Sequence, residues 1–279
     1  MAPIRILAAL VALGTMAQGA CAHGSSRVQI AVIDTGVAQV GTLRGMTERT
    51  IDADTSGRSV LSSGHGTMVA SVIARYARRP IRIMPYRVDS GCSIDACDMP
   101  VSRLAWAVRD ATRRGAAVIQ ISSYGRLTAE AVHSILDAAR SGIDVVLCAG
   151  NDGRASVYSG LLETDPRIHV VGALGQDGRP TSFSSTGGRG MVWRRGTGLM
   201  AQDERGRDRL VDGTSFAASL YTAELIGVED AEVARRPMPG DGDRTPTPMP
   251  DLRRGDGQSR AVPPAAQDVV VILKSSGAH

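Results

Sequence analysis

Val28-Gln29-Ile30-Ala31-Val32-Ile33-Asp34-Thr35-Gly36 decides the fold class. Its opening residues form an apolar, β-branched run that stops at a carboxylate and a glycine turn. A short strand of this kind is buried on both faces, as in a parallel sheet lying between helices. Outward from it the pattern repeats. Gly66–Tyr76 has helical spacing at Val69, Ala70, Val72, Ile73 and Tyr76. Ile81–Val88 reads as a strand. Ser102–Arg114 is an amphipathic helix ended by Gly115. Val118–Ile121 is a buried strand, Thr128–Ser141 a helix stopped by Gly142, and Val145–Leu147 and Ile168–Ala173 are further strands. This alternation, from Arg27 to about Arg236, predicts an α/β fold of three layers, αβα, around a mainly parallel central sheet. Ligand chemistry in such sheets gathers past the carboxyl ends of the strands.

The 279 residues are 43% apolar, a globular composition that excludes a disordered, collagen-like or disulfide-dense chain. Aromatics are 3%, so the core is aliphatic. The 32 Lys+Arg against 28 Asp+Glu leave a charge of +4, too little to imply a nucleic-acid partner. Lys274 is the only lysine, which excludes a Ser-Lys dyad, a Schiff base or a P-loop in the folded body.

Residues 1–22 read as an export signal: Arg5, an apolar run from Ile6 to Met16, and the cleavage site Ala20-Cys21-Ala22. A second reading makes Cys21 a lipid-modified first residue that anchors the chain to a membrane. A third makes the segment a buried N-terminal helix. The first two place the protein outside the cytoplasm, as a periplasmic, extracellular or membrane-anchored chain. An oxidising compartment follows, and there Cys92 and Cys97 can close a small disulfide loop; the alternative is two free thiols. Cys148, in Val145-Val146-Leu147-Cys148-Ala149, reads as a small buried hydrophobe. Seven of the 13 prolines fall between Pro237 and Pro264, so residues 237–279 read as a linker or disordered tail, with one strand-like run at Asp268–Leu273.

Four motifs follow apolar runs or glycine turns. Asp34 ends a strand. His65 lies between two glycines in Gly64-His65-Gly66-Thr67. Ser215 sits in Asp212-Gly213-Thr214-Ser215-Phe216-Ala217-Ala218. Asn151 follows a strand in Ala149-Gly150-Asn151-Asp152-Gly153. A serine hydroxyl is a poor nucleophile at neutral pH. It needs a base within reach, and the base needs a third group to fix its tautomer and stabilise its cation. Asp, His and Ser are the types required. An Asn amide, with the Ser215 backbone N–H, can donate to a developing oxyanion. Asp-Thr-Gly also occurs in aspartic proteases, but there a second copy usually completes the dyad, and this chain has one. His133 and His169 read as structural.

On these residues the chain resembles the subtilisin-like serine proteases (subtilases, peptidase family S8). The order Asp, His, Ser is that of subtilisin. The spacings fit as well: 31 residues from Asp34 to His65 and 150 from His65 to Ser215. The resemblance, over about residues 27–236, implies that Asp34 orients the base and His65 is general base and acid. It makes Ser215 the nucleophile and Asn151 part of the oxyanion hole. Ser123, Tyr124 and Gly125 resemble the strand that pairs with the substrate and walls the primary specificity pocket; Ala149 and Gly150 form the opposite wall. Thr181–Ser185 looks like the family's Phe-Ser segment. The implied protein is a monomeric endopeptidase acting on peptides or proteins, with no cofactor and no metal.

The sequence departs from the family pattern in four places. Only His23–Ser26 separate the signal from the Asp strand, where secreted members carry a pro-segment. Ala38-Gln39-Val40 replaces a His-Pro motif. The loop Arg78-Arg79-Pro80 is too short for the calcium that many members hold there. Ser219 replaces a proline, Val192-Trp193-Arg194-Arg195-Gly196 replaces an Ala-Pro-Gly turn, and the helix after Ser215 shrinks to Leu220–Val228. These departures motivate the alternative of a catalytically weak scaffold that binds peptides or a partner protein.

Overall fold

Along the chain run β1 (Val28–Asp34), β2 (Ile51–Asp52), α1 (His65–Tyr76), β3 (Ile81–Arg87), β4 (Gly91–Cys92), β5 (Cys97–Asp98), α2 (Val101–Arg113) and β6 (Val118–Ile121). Then come α3 (Ala129–Arg140), β7 (Asp144–Cys148), β8 (Ile168–Leu174), β9 (Val192–Arg195), β10 (Leu199–Gln202), β11 (Asp208–Val211) and α4 (Thr214–Gly227). The computed structural model describes residues 27–53, 64–89, 91–92, 97–98, 101–162 and 164–227. The export signal, the tail and the run at Asp268–Leu273 lie outside the described residues.

Seven strands form one parallel sheet in the order β2-β3-β1-β6-β7-β8-β9. Alternate residues of β1 serve opposite faces. Ile30 and Val32 pack with Val69, Ala70 and Ile73 of α1 and with Ala217, Ala218 and Tyr221 of α4. Ala31 and Ile33 pack with Leu104, Val108 and Ala111 of α2 and with Ile135 and Ala138 of α3. The expected three-layer αβα arrangement is therefore present. All four of these β1 side chains are fully buried. Burial on that scale stabilises by about 1.5–3 kcal/mol for each large aliphatic side chain, which exceeds any β-propensity term.

Two elements differ from the sequence reading. α4 begins at Thr214, six residues before the run Leu220–Val228 in which helix was expected. Its first turns are buried all round, including Thr214, Ser215, Ala218, Ser219 and Thr222, so no polar face marks their period. Val192–Arg195 is not a turn but the edge strand β9, paired to β8 with Trp193 opposite Gly172. The Trp193 ring covers the place where a Cβ on Gly172 would sit. Arg194 lies 5.2 Å over the Tyr221 ring and binds Glu224 at 2.5 Å, while Arg195 donates to the Tyr76 hydroxyl at 3.3 Å, so the two arginines that obscured the strand in fact tie it to α4 and α1.

The register sets up one row. Ile33 pairs with Ile121, and Ile121 with Leu147. One step further along, Asp34, Ser122 and Cys148 stand side by side at the carboxyl ends of three adjacent strands.

Candidate active site

Asp34 ends β1 and is 1% exposed. Both its oxygens face Nδ1 of His65, at 2.9 and 3.0 Å, and Oδ1 also accepts from the Thr35 N–H at 2.7 Å. His65 opens α1, and the end of β1 caps that helix: Thr35 Oγ1 accepts from the Gly66 N–H at 3.0 Å. Gly66 is required here, because a Cβ would lie 2.3 Å from the Gly36 carbonyl oxygen and 3.1 Å from Asp34. Thr67 Oγ1 accepts from the Ala38 N–H, so the segment that lacks the His-Pro motif is still tied to α1. The His65 side chain is 32% exposed, and its ring centroid lies 5.6 Å from that of Phe216. Burial works against the imidazolium, yet the Asp34 carboxylate outweighs it and holds the His65 pKa above 6.5.

Ser215 occupies the first turn of α4 and is 5% exposed. Its Oγ donates to the Ser122 carbonyl at 3.2 Å. Asn151 follows β7 and is fixed by Thr214, whose N–H and hydroxyl both donate to Asn151 Oδ1 at 2.9 Å. The Thr214 hydroxyl also accepts from the Gly150 N–H at 3.2 Å. With Oδ1 engaged, the Asn151 amide nitrogen is left as a donor, 3.6 Å from where a Cβ on Gly213 would sit. Phe216 and Ala217 N–H both donate to the Gly213 carbonyl, and the Ser215 N–H has no partner among the described residues. Two donors thus stand beside one hydroxyl at a helix N-terminus, the environment that stabilises negative charge on a reacting oxygen.

The pattern of the subtilase family (Peptidase_S8) matches residues 25–223. The chain belongs to the subtilase family. It is 28% identical over 166 residues to a subtilisin-like protease of Coccidioides posadasii, covering 56% of this chain and 41% of that one. It is 29% identical over 172 residues to subtilisin-like protease 2 of Trichophyton verrucosum, covering 58% and 40%. The matched part is therefore less than half the length of these curated relatives. Among solved structures, a cold-adapted subtilisin-like serine proteinase superposes with a TM-score of 0.60 at 22% identity, over 71% of this chain and 74% of that one. MycP1 with its N-terminal propeptide removed gives 0.57 at 26% identity, over 73% and 78%.

In this subtilase Asp34 meets His65, Asn151 meets Thr214 beside Ser215, and the His65 ring lies near Phe216; further residues that belong to no motif join them. Gln120 is fully buried on β6. Its Nε2 donates to Ser122 Oγ at 2.8 Å and to Ser219 Oγ at 2.9 Å. Ser219 Oγ in turn donates to the Ser215 carbonyl at 2.9 Å. Where the family has a proline, this chain has a polar tie between β6 and α4, and it holds the nucleophile's own backbone. The sequence read Ser219 as a departure but gave no reading of Gln120, the one amide within the buried strand Val118–Ile121. Cys148 lies in the row beneath, and burial raises its thiol pKa to about 12, so it stays protonated.

The residues expected to wall the substrate site lie past the ends of two adjacent strands. Ser123, Tyr124 and Gly125 continue β6 beyond the sheet. Tyr158, fully buried, donates its hydroxyl to the Ser123 carbonyl at 3.0 Å and accepts from the Gly125 N–H at 3.1 Å. Ala149 and Gly150 continue β7. Ser185, from the Phe-Ser segment, donates to Asp152 at 2.6 Å, and its N–H donates to the Gly150 carbonyl at 2.8 Å.

Proposed function

We propose that this subtilase is an exported serine endopeptidase that hydrolyses peptide bonds through an acyl-enzyme on Ser215. The observation that carries the reading is the two-oxygen grip of buried Asp34 on His65 Nδ1. It fixes the tautomer that leaves Nε2 as the base. His65 Nε2 takes the Ser215 proton as Oγ attacks the substrate carbonyl carbon. A C–O bond forms, and the carbonyl electrons move to the oxygen. Asn151 Nδ2 and the Ser215 N–H donate to that oxyanion. Collapse breaks the C–N bond, and His65 returns the proton to the leaving amine. Water then repeats the sequence on the acyl-enzyme, releasing the acid and restoring the Ser215 hydroxyl.

Export is supported by the signal-like segment 1–22. The Cys92–Cys97 disulfide is supported by the β4–β5 register, which sets these two positions opposite each other. Peptidase domain limits of about 27–236, a peptide or protein substrate and a monomeric state complete the reading. Fluorophosphonate labelling of the purified chain tests it, with Ser215→Ala as control and mass spectrometry to place the adduct. An adduct on Ser215 is expected. A folded chain with no adduct would favour the alternative, a scaffold that binds peptides without cleaving them.

A further inference from the structure

The side chain just before the scissile bond has one place to go. The substrate carbonyl carbon must approach Ser215 Oγ to about 3–3.5 Å, with its oxygen toward Asn151 and the Ser215 N–H. Ser215 Oγ rests on the Ser122 carbonyl, and Asn151 directly follows Gly150. The acyl-side residue is therefore bracketed by the extensions of β6 and β7. These strands are paired up to Ile121 and Leu147, where the ladder between them ends. The wedge between the extensions is the space for that residue's side chain.

The Tyr124 ring already lies in the wedge. Gly150 has φ +107°, and a Cβ built on it would meet Tyr124 Cε2 and Cζ at 2.5 Å. The ring thus rests directly on the Gly150 backbone. Ser185 Oγ, 2.8 Å from the same point, closes the space beside it. The ring is also held from behind. It meets Tyr158 edge-on, with centroids 5.6 Å apart and planes at 75°. Tyr158 in turn fixes the backbone on both sides of Tyr124 through Ser123 and Gly125. Burial raises the Tyr158 phenol pKa, so that hydroxyl remains a donor.

We propose that Tyr124 fills the primary specificity pocket, so that this enzyme cleaves after glycine, alanine or serine and rejects large side chains. The proposal rests on the peptidase reading of the same site. A leucine, phenylalanine or arginine before the scissile bond would have to displace a ring packed against Tyr158 and Gly150. A small residue fits over the ring without moving it. Pocket-size discrimination of this kind is typically tens- to hundreds-fold in kcat/KM.

The test uses tetrapeptide p-nitroanilides that differ only in their last residue: Gly, Ala, Ser, Leu, Phe or Arg. Active enzyme is counted by fluorophosphonate titration. The wild type is expected to favour Ala over Phe by about 100-fold in kcat/KM, and Tyr124→Gly to shift that ratio toward Phe by a similar factor. A titratable wild type that cleaves after Phe, Leu or Arg as well as after Ala overturns the proposal and leaves the peptidase reading standing. So does an unchanged Phe-to-Ala ratio in a titratable Tyr124→Gly enzyme. If that variant does not fold, the wild-type profile alone decides. A wild type that cannot be titrated removes the peptidase reading and the proposal with it.

Discussion

Asp34 and His65 sit 2.9 Å apart, and so do Asp144 and His169, but the two pairs have opposite surroundings. Asp34 binds His65 through Nδ1, at the carboxyl end of β1, and the ring is 32% exposed. Asp144 binds His169 through Nε2, at the start of β7, and the ring is 5% exposed. The other nitrogen of His169 is 3.2 Å from the Tyr221 hydroxyl of α4, and Arg167 lies 3.6 Å from the second Asp144 oxygen. Both pairs combine a carboxylate with an imidazole. One is placed where a strand ends, and its ring is partly open to solvent. The other is sealed between β7, β8 and α4, so its second nitrogen is used in packing. Position along the strand separates a partly exposed pair from a sealed one.

Ways to break that comparison follow, from the largest effect down. Ser215→Ala should lower kcat by about 10⁶-fold, the magnitude the subtilisin triad shows, with little change in melting temperature. His65→Ala should match it, because nucleophile and base act as a unit. Equal kcat in wild type and either variant would sink the assignment. Asp34→Asn should cost about 10⁴-fold through loss of the productive tautomer.

The pH dependence separates the pairs next. The base must be neutral, and the pKa of His65 is raised by Asp34, so wild-type kcat/KM should rise with pH through a midpoint above 6.5. Stability runs the other way. A raised folded pKa contributes stability that is full below the unfolded value and is lost as pH rises through the folded one. In Asp34→Asn the kinetic midpoint should move down; a midpoint that stays in place would show that another group sets it.

The structural pair should answer in the opposite currency. His169→Ala leaves Asp144 buried without its imidazole, at a cost of about 3 kcal/mol, or roughly 6–12 °C in melting temperature. Turnover per titrated site should change far less than in His65→Ala. A stable variant with kcat lost would make His169 a functional residue. The smallest effect is expected at the tie under the nucleophile. Ser219→Ala removes two hydrogen bonds and should cost about 1–3 kcal/mol, since Gln120 is left with one partner fewer in a buried site. If kcat per titrated site also falls in Ser219→Ala, the tie positions Ser215 and does more than stabilise α4.

Much of this was legible in residues 27–227. Strands such as Val145–Leu147 announce themselves because burial on both faces demands an unbroken apolar run. Helix limits came within a residue or two at α2 and α3, where Gly115 and Gly142 stop them and the Thr128 side chain caps α3. The start of α4 was missed because a helix buried on every side carries no period. β9 was missed because its arginines pair with groups on α4 and α1 that are distant in sequence.

The sequence by itself determined the αβα alternation, the order of Asp34, His65, Asn151 and Ser215, and the apolar runs and glycine turns that they follow. Those features are local: an apolar run, a glycine turn, a motif of a few residues. The tertiary structure decided that Tyr124 lies on Gly150, that Gln120 reaches Ser219, and that His169 pairs with Asp144. Each of these is a contact between residues 25 to 99 positions apart. Only the closed sheet, with α4 laid across it, brings such partners within hydrogen-bonding or van der Waals distance.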